Sequence, residues 1–127
     1  MTADPSYSKD VHIEFVDSVY DFGNIDDTIP LPKHTFTFIN SGTAPLIIHS
    51  IDPSCGCIQV LKYSIKPIAP GEKGTVTVAF DPQSDTKGFF SKTIGIRSNE
   101  LLFRYVTIKG NNPQIRNYAP NMIQKRK

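Results

Sequence analysis

The chain has 127 residues, a formal net charge of +2, ten prolines, eight glycines and no tryptophan. That length suits one domain burying roughly two thirds of the surface its unfolded chain exposes, so its core needs no disulfide. The small charge excludes a molecule-wide field for nucleic acid or a membrane surface. No run approaches the roughly 20 apolar residues of a membrane-spanning helix.

Residues 1–10 are polar, show no secretory leader and are expected to be a disordered segment. A sandwich domain is expected over 11–111. Val11 to Phe15 alternates apolar and polar residues, the mark of a half-buried strand. Tyr20 to Ile25 follows as a second strand. Its Asp21-Phe22-Gly23 shares letters with the kinase magnesium motif but has no phosphate loop or catalytic loop beside it. Phe22 is instead expected to enter the core and Gly23 to turn the chain. Asp26-Asp27 reads as a solvated acidic pair, and Pro30 and Pro32 as a loop or irregular edge.

Lys33 to Asn40 alternates well, with Phe36 and Phe38 on one face and Thr35 and Thr37 on the other. Asn40-Ser41-Gly42 is a turn signal. Leu46 to Ile51 is rich in β-branched residues and is expected to pair back on the preceding strand. Asp52-Pro53 ends it, because proline cannot donate to a ladder. Ile58 to Leu61 continues as a short strand. Pro67 to Lys73 is a turn-forming connection, and Gly74 to Asp81 is the cleanest strand, with Val76, Val78 and Phe80 facing inward. Phe89 to Arg97 is another strand, with Gly95 at a bulge or close approach. Ser98-Asn99-Glu100 turns the chain into a last strand, Leu101 to Lys109. Residues 112–127 carry Arg116, Lys125, Arg126 and Lys127 without an acid and read as a solvated basic tail.

About seven or eight short strands with frequent breaks and no amphipathic helix predict an all-β, immunoglobulin-like sandwich of antiparallel strands. Catalytic signatures are missing: there is no nucleophile elbow, phosphate loop or His-Glu-x-x-His, and Ser91 forms no triad pattern with the histidines. The expectation is a non-enzymatic domain with no cofactor and no catalytic residue.

The reactive chemistry lies in Pro53-Ser54-Cys55-Gly56-Cys57, which holds both cysteines of the chain. In an extended strand two residues separated by one point to the same face, so both sulfurs would sit on one side. Three readings compete. Cys55 and Cys57 form a disulfide, with Gly56 bending the backbone to bring them together, in a small ring open to reduction. Alternatively they are thiolates for a soft ion, with His49 on the strand leading in, and His34 on its expected neighbour, as further ligands. Or they are two small structural residues in a tight turn.

Four motifs arrive in order: Asp21-Phe22-Gly23-Asn24-Ile25, His34 through Leu46, Pro53-Ser54-Cys55-Gly56-Cys57, and Ile68-Ala69-Pro70-Gly71-Glu72-Lys73-Gly74. Together they resemble the bacterial DUF1573 family, common in Bacteroidetes, over roughly Tyr20 to Gly110. Ile58 departs from the threonine usual there. The resemblance implies kinship with the ASPM–SPD-2–Hydin, major-sperm-protein and PapD-type sandwiches, and export to the periplasm or cell envelope. Contact with a membrane would then come only through a lipoprotein anchor removed from this sequence. The family has no agreed activity. The expected role is binding or scaffolding another protein by edge-strand addition or loop contact, with no nucleic-acid partner. A metal or thiol-redox domain and a PapD-like periplasmic chaperone are the alternatives.

Overall fold

The structure, a computed structural model, describes residues 9–25, 28, 31–82 and 87–113. The acidic pair at 26–27, Pro30, most of the 1–10 segment and the four basic residues of the tail lie outside the described residues. Among the described residues eight strands form in chain order: β1 (Ile13–Phe15), β2 (Val19–Asn24), β3 (Lys33–Asn40), β4 (Ile48–Pro53), β5 (Ile58–Tyr63), β6 (Lys73–Phe80), β7 (Gly88–Ser98) and β8 (Arg104–Asn112). They make two four-stranded sheets, ordered β1-β3-β6-β5 and β2-β8-β7-β4. The all-β sandwich is therefore as the strand pattern predicts. No described helix is long and apolar enough to cross a membrane.

The core lies between the sheets and uses the expected alternation. Phe36 and Phe38 of β3, Val76, Val78 and Phe80 of β6, Ile94 and Ile96 of β7, and Val106 and Ile108 of β8 are all fully buried. Thr35 and Thr37 face away from them, and the Thr35 and Thr77 hydroxyls meet at 2.8 Å across the β3–β6 pair. Phe80 stacks on Phe90 with ring centroids 4.2 Å apart, linking the two sheets. Gly74 lets Phe38 sit over the β6 backbone, because a Cβ there would lie 2.6 Å from the Phe38 ring.

Three features depart from the sequence reading. Leu46 to Ile51 does not pair back on Lys33 to Asn40. Leu46 makes an isolated bridge to Ile68, and β4 joins the opposite sheet, antiparallel to β7. The loop between β3 and β4 thus crosses between sheets instead of making a hairpin. One pair is parallel: β2 runs alongside β8 from Val19 opposite Thr107. The reason is that β1 and β2 continue one path that changes sheet midway. Val16 N–H donates to the Thr37 carbonyl of β3, and two residues later the Ser18 carbonyl accepts from Thr107 N–H of β8. Asp17, at the changeover, is held by His34 Nε2 at 2.9 Å, and the His34 ring stacks on Tyr20. Finally, β8 begins at Arg104 and runs to Asn112, so Leu101–Phe103 belong to the preceding connection and Asn112 to the sheet rather than to the tail.

Candidate functional site

Two places combine chemistry with access: the cysteine turn and the end of the β7–β8 hairpin. The turn is the crossover from β4 in one sheet to β5 in the other. Ser54 N–H donates to the Thr93 carbonyl on β7, and Asp81 N–H donates to the Cys57 carbonyl, so both shoulders of the turn are fixed to neighbouring chain. Between them the chain is not extended. Ile58 N–H donates to the Cys55 carbonyl at 3.1 Å, closing a β-turn over Cys55–Ile58.

That turn brings the Cα atoms of Cys55 and Cys57 to 5.1 Å, and the two sulfurs are bonded to each other. The extended presentation expected of the motif is thus replaced by a turn. Gly56 is not what makes the turn, since its φ lies outside the left-handed region and a Cβ on it would meet open space. Cys57 is 0% exposed and packs in the core, while Cys55 is only partly covered. Cys57 N–H donates to Cys55 Sγ at 3.1 Å.

The histidines considered as further metal ligands are elsewhere. His34 is on β3, in the sheet opposite β4, engaged with Asp17 and Tyr20. His49 is near the start of β4, and the extended chain from it to Pro53 spans about 13 Å. Among the described residues no three of His, Cys, Asp and Glu come together to hold a metal ion. With the sulfurs joined, thiolate ligation would first require reduction. The separation follows from β4 leaving the β3 sheet, which alternation within one strand does not reveal.

The hairpin end is built on an ion pair. Glu100 is only 3% exposed although it carries a carboxylate. Arg104 Nε donates to Oε1 at 2.8 Å and Nη2 to Oε2 at 2.6 Å, a bidentate fork. Ile13 N–H donates to Oε2, which also lies 3.2 Å from His12 Nδ1. The hydrogen bond to Glu100 raises the Arg104 pKa, burial pulls it down, and the Coulombic attraction raises it further. The pair therefore locks the hairpin end of one sheet to edge strand β1 of the other.

Held by that lock, the connection displays its apolar side chains outward. Leu101, Leu102, Phe103 and Tyr105 are 59%, 60%, 40% and 56% exposed. Phe103 meets Tyr105 edge-on at 4.8 Å, and the Arg97 guanidinium lies 5.0 Å from the Phe103 ring centroid. Gly95 is the close approach read from the sequence: a Cβ there would lie 2.7 Å from Phe103 Cζ, so the glycine seats the ring. Reading Leu101 onward as strand hid this patch, because an apolar run beside β-formers carries the same local signal as a buried strand.

The four sheet edges are poor templates for strand addition. β1 has three residues. Register breaks interrupt β2 between Asp21 and Asn24, β4 between Ile48 and Ser50, and β5 between Val60 and Lys62. In β2 the break contains Gly23 at φ 68°, whose N–H donates to Asp21 Oδ1 at 2.8 Å. β4 also ends in Pro53. Bulges, proline and short length all discourage a new strand from pairing. A cleft of about 400 Å³ lined by Tyr20, Phe22, Asn24, Ile25, Leu31, Pro32 and Lys33 opens where β2 passes the start of β3.

A family described as "Protein of unknown function (DUF1573)" matches residues 13–112. None of the curated proteins matches the chain in sequence. Among solved structures, a protein of unknown function from Porphyromonas gingivalis W83 is similar with a TM-score of 0.71 and 21% identity over 84% of this chain. This chain covers 50% of that protein, about half its length. The ASH / PapD-like domain 7 of human CEP192 is similar with a TM-score of 0.57 and 15% identity, over 88% of this chain and 89% of that one. The YadV chaperone is similar with a TM-score of 0.54 and 10% identity, over 87% of this chain and 55% of that one. At these identities the likenesses establish a PapD-like, immunoglobulin-like fold and nothing about activity.

Proposed function

The chain belongs to the DUF1573 family, whose description assigns no activity, and we propose that it is a non-enzymatic domain of the bacterial cell envelope that binds another protein. The observation that carries this reading is the patch of Leu101, Leu102, Phe103 and Tyr105, each 40% exposed or more, at one end of the β7–β8 hairpin. Isolated exposed apolar residues are ordinary, but neighbouring ones with an aromatic pair and an arginine match the composition of protein interfaces. Their rigid seat on Glu100, Arg104 and Gly95 lowers the ordering entropy that binding must overcome.

The mode is contact through this hairpin face. Edge-strand addition, the other expected mode, is disfavoured by the short or bulged edges. The same feature weighs against a chaperone that works by completing a sheet. An oxidising envelope compartment suits the bonded cysteine pair. Replacing Leu101→Glu together with Leu102→Glu places two charges in the patch without touching the core. Affinity capture from the cells that make the protein, quantified against the parent, is expected to lose a reproducible partner at least about tenfold. Equal recovery by the two proteins, with unchanged far-UV circular dichroism, would remove the patch from the account.

A further inference from the structure

We propose that the Cys55–Cys57 disulfide is a thiol–disulfide exchange site that oxidises dithiols and is attacked only at Cys55. This goes beyond the protein-binding reading and does not depend on the apolar patch.

The two sulfurs are chemically unequal. Cys57 is 0% exposed and sits among the core side chains, so no thiolate reaches it in the folded protein. Cys55 is partly open at the surface of the turn. The turn itself is fixed without the S–S bond, by Ser54 to Thr93, Asp81 to Cys57 and Ile58 to Cys55 backbone hydrogen bonds. Opening the disulfide therefore leaves the crossover in place, and closing it again needs no search through conformations. A bridge across one intervening residue also closes too short a loop to restrict the unfolded chain much, so stabilisation explains its presence poorly. The Cys57 N–H, 3.1 Å from Cys55 Sγ, is placed to stabilise negative charge on that sulfur.

The exchange balances as follows. One thiolate of a substrate dithiol attacks Cys55 Sγ; the Cys55–Cys57 bond breaks, a mixed disulfide forms, and Cys57 leaves as a thiolate and takes up the proton that the first substrate thiol gave up. The second substrate thiolate then attacks the substrate sulfur of the mixed disulfide. The substrate disulfide forms and Cys55 departs as a thiolate beside the Cys57 N–H, then is protonated. Two electrons pass from the substrate to the protein, and the two thiol protons end on Cys55 and Cys57. A low-molecular-weight disulfide such as glutathione disulfide restores the pair by the reverse steps.

The test treats the oxidised protein, folded and unmodified, with graded mixtures of reduced and oxidised glutathione, followed by acid quenching, alkylation and peptide mass mapping. The pair is expected to reduce and re-form reversibly without unfolding, with glutathione trapped on Cys55 and none on Cys57. A synthetic dithiol peptide is expected to lose two hydrogens as the pair gains them. Cys57→Ser should accumulate the Cys55 adduct, and Cys55→Ser should form none until denatured. A pair that resists millimolar glutathione until the protein is unfolded, or an adduct on Cys57, would overturn the proposal. The parent protein alone yields both of these outcomes, so the test survives a variant that fails to fold.

Discussion

Asn40 shows how much a single side chain can organise. It is 0% exposed, and its Nδ2 donates to the Ala44 and Ile68 carbonyls at 2.8 and 2.9 Å while Oδ1 accepts from Gly42 N–H. Its backbone pairs with Glu72 and Gly71. One residue therefore ties the β3–β4 crossover to the loop before β6 and satisfies groups that would otherwise be buried without partners. Asn40→Asp replaces the double donor with oxygen facing two carbonyls. The expected loss is about 3 kcal/mol of unfolding free energy, read from the urea midpoint at neutral pH. A loss under about 1 kcal/mol would mean the loops are held by something else. The sequence marks Asn40-Ser41-Gly42 only as a turn, because the partner Ile68 is remote in the chain. Gly42 is similarly specific: a Cβ there would overlap the Asp10 carbonyl oxygen.

At the scale of elements, local pattern and long-range pairing separate cleanly. The inward sets of β3 and β6 follow from alternation, since period two assigns faces within one strand. Which sheet a strand joins depends on crossovers, and alternation is silent about those. Hence the sequence suggests β4 beside β3 while it lies beside β7, and the β2–β8 pairing is parallel. The Glu100–Arg104 fork, only four residues long in sequence, acts between sheets by reaching Ile13 of β1. Arg104→Met leaves the Glu100 carboxylate nearly buried with only weaker partners. It is expected to cost about 2–4 kcal/mol, the larger part coming from the stranded charge. Thermal unfolding of Arg104→Met against the parent measures it, and a change within about 0.5 kcal/mol would contradict the lock. Because the Arg104 pKa is raised in the folded protein, its contribution is complete below the ordinary arginine value. It is lost only as pH rises through the higher folded value, in strong alkali. Titration of Arg104 therefore gives no pH dependence near neutrality.

For the whole molecule, a sandwich class was legible from strand number, breaks and the absence of helical periodicity. The cysteine pair was legible as chemistry, though its form was not: the β-turn that joins the sulfurs depends on anchors at Thr93 and Asp81 that lie far along the chain. The exposed apolar patch was not legible, since Leu101–Phe103 reads as strand until the fold places it outside the sheet. Among the described residues the picture is a sandwich with short or bulged edges and an apolar patch at the β7–β8 hairpin end. Site-specific photo-crosslinking in the cells that make the protein tests that picture most directly, with the crosslinking residue placed in turn at Leu102 on the hairpin end, Leu61 on β5 and His49 on β4. The account predicts a discrete protein adduct from position 102 and none from 61 or 49. Adducts from the two edge positions with none from 102 would contradict it and return strand addition as the mode of binding.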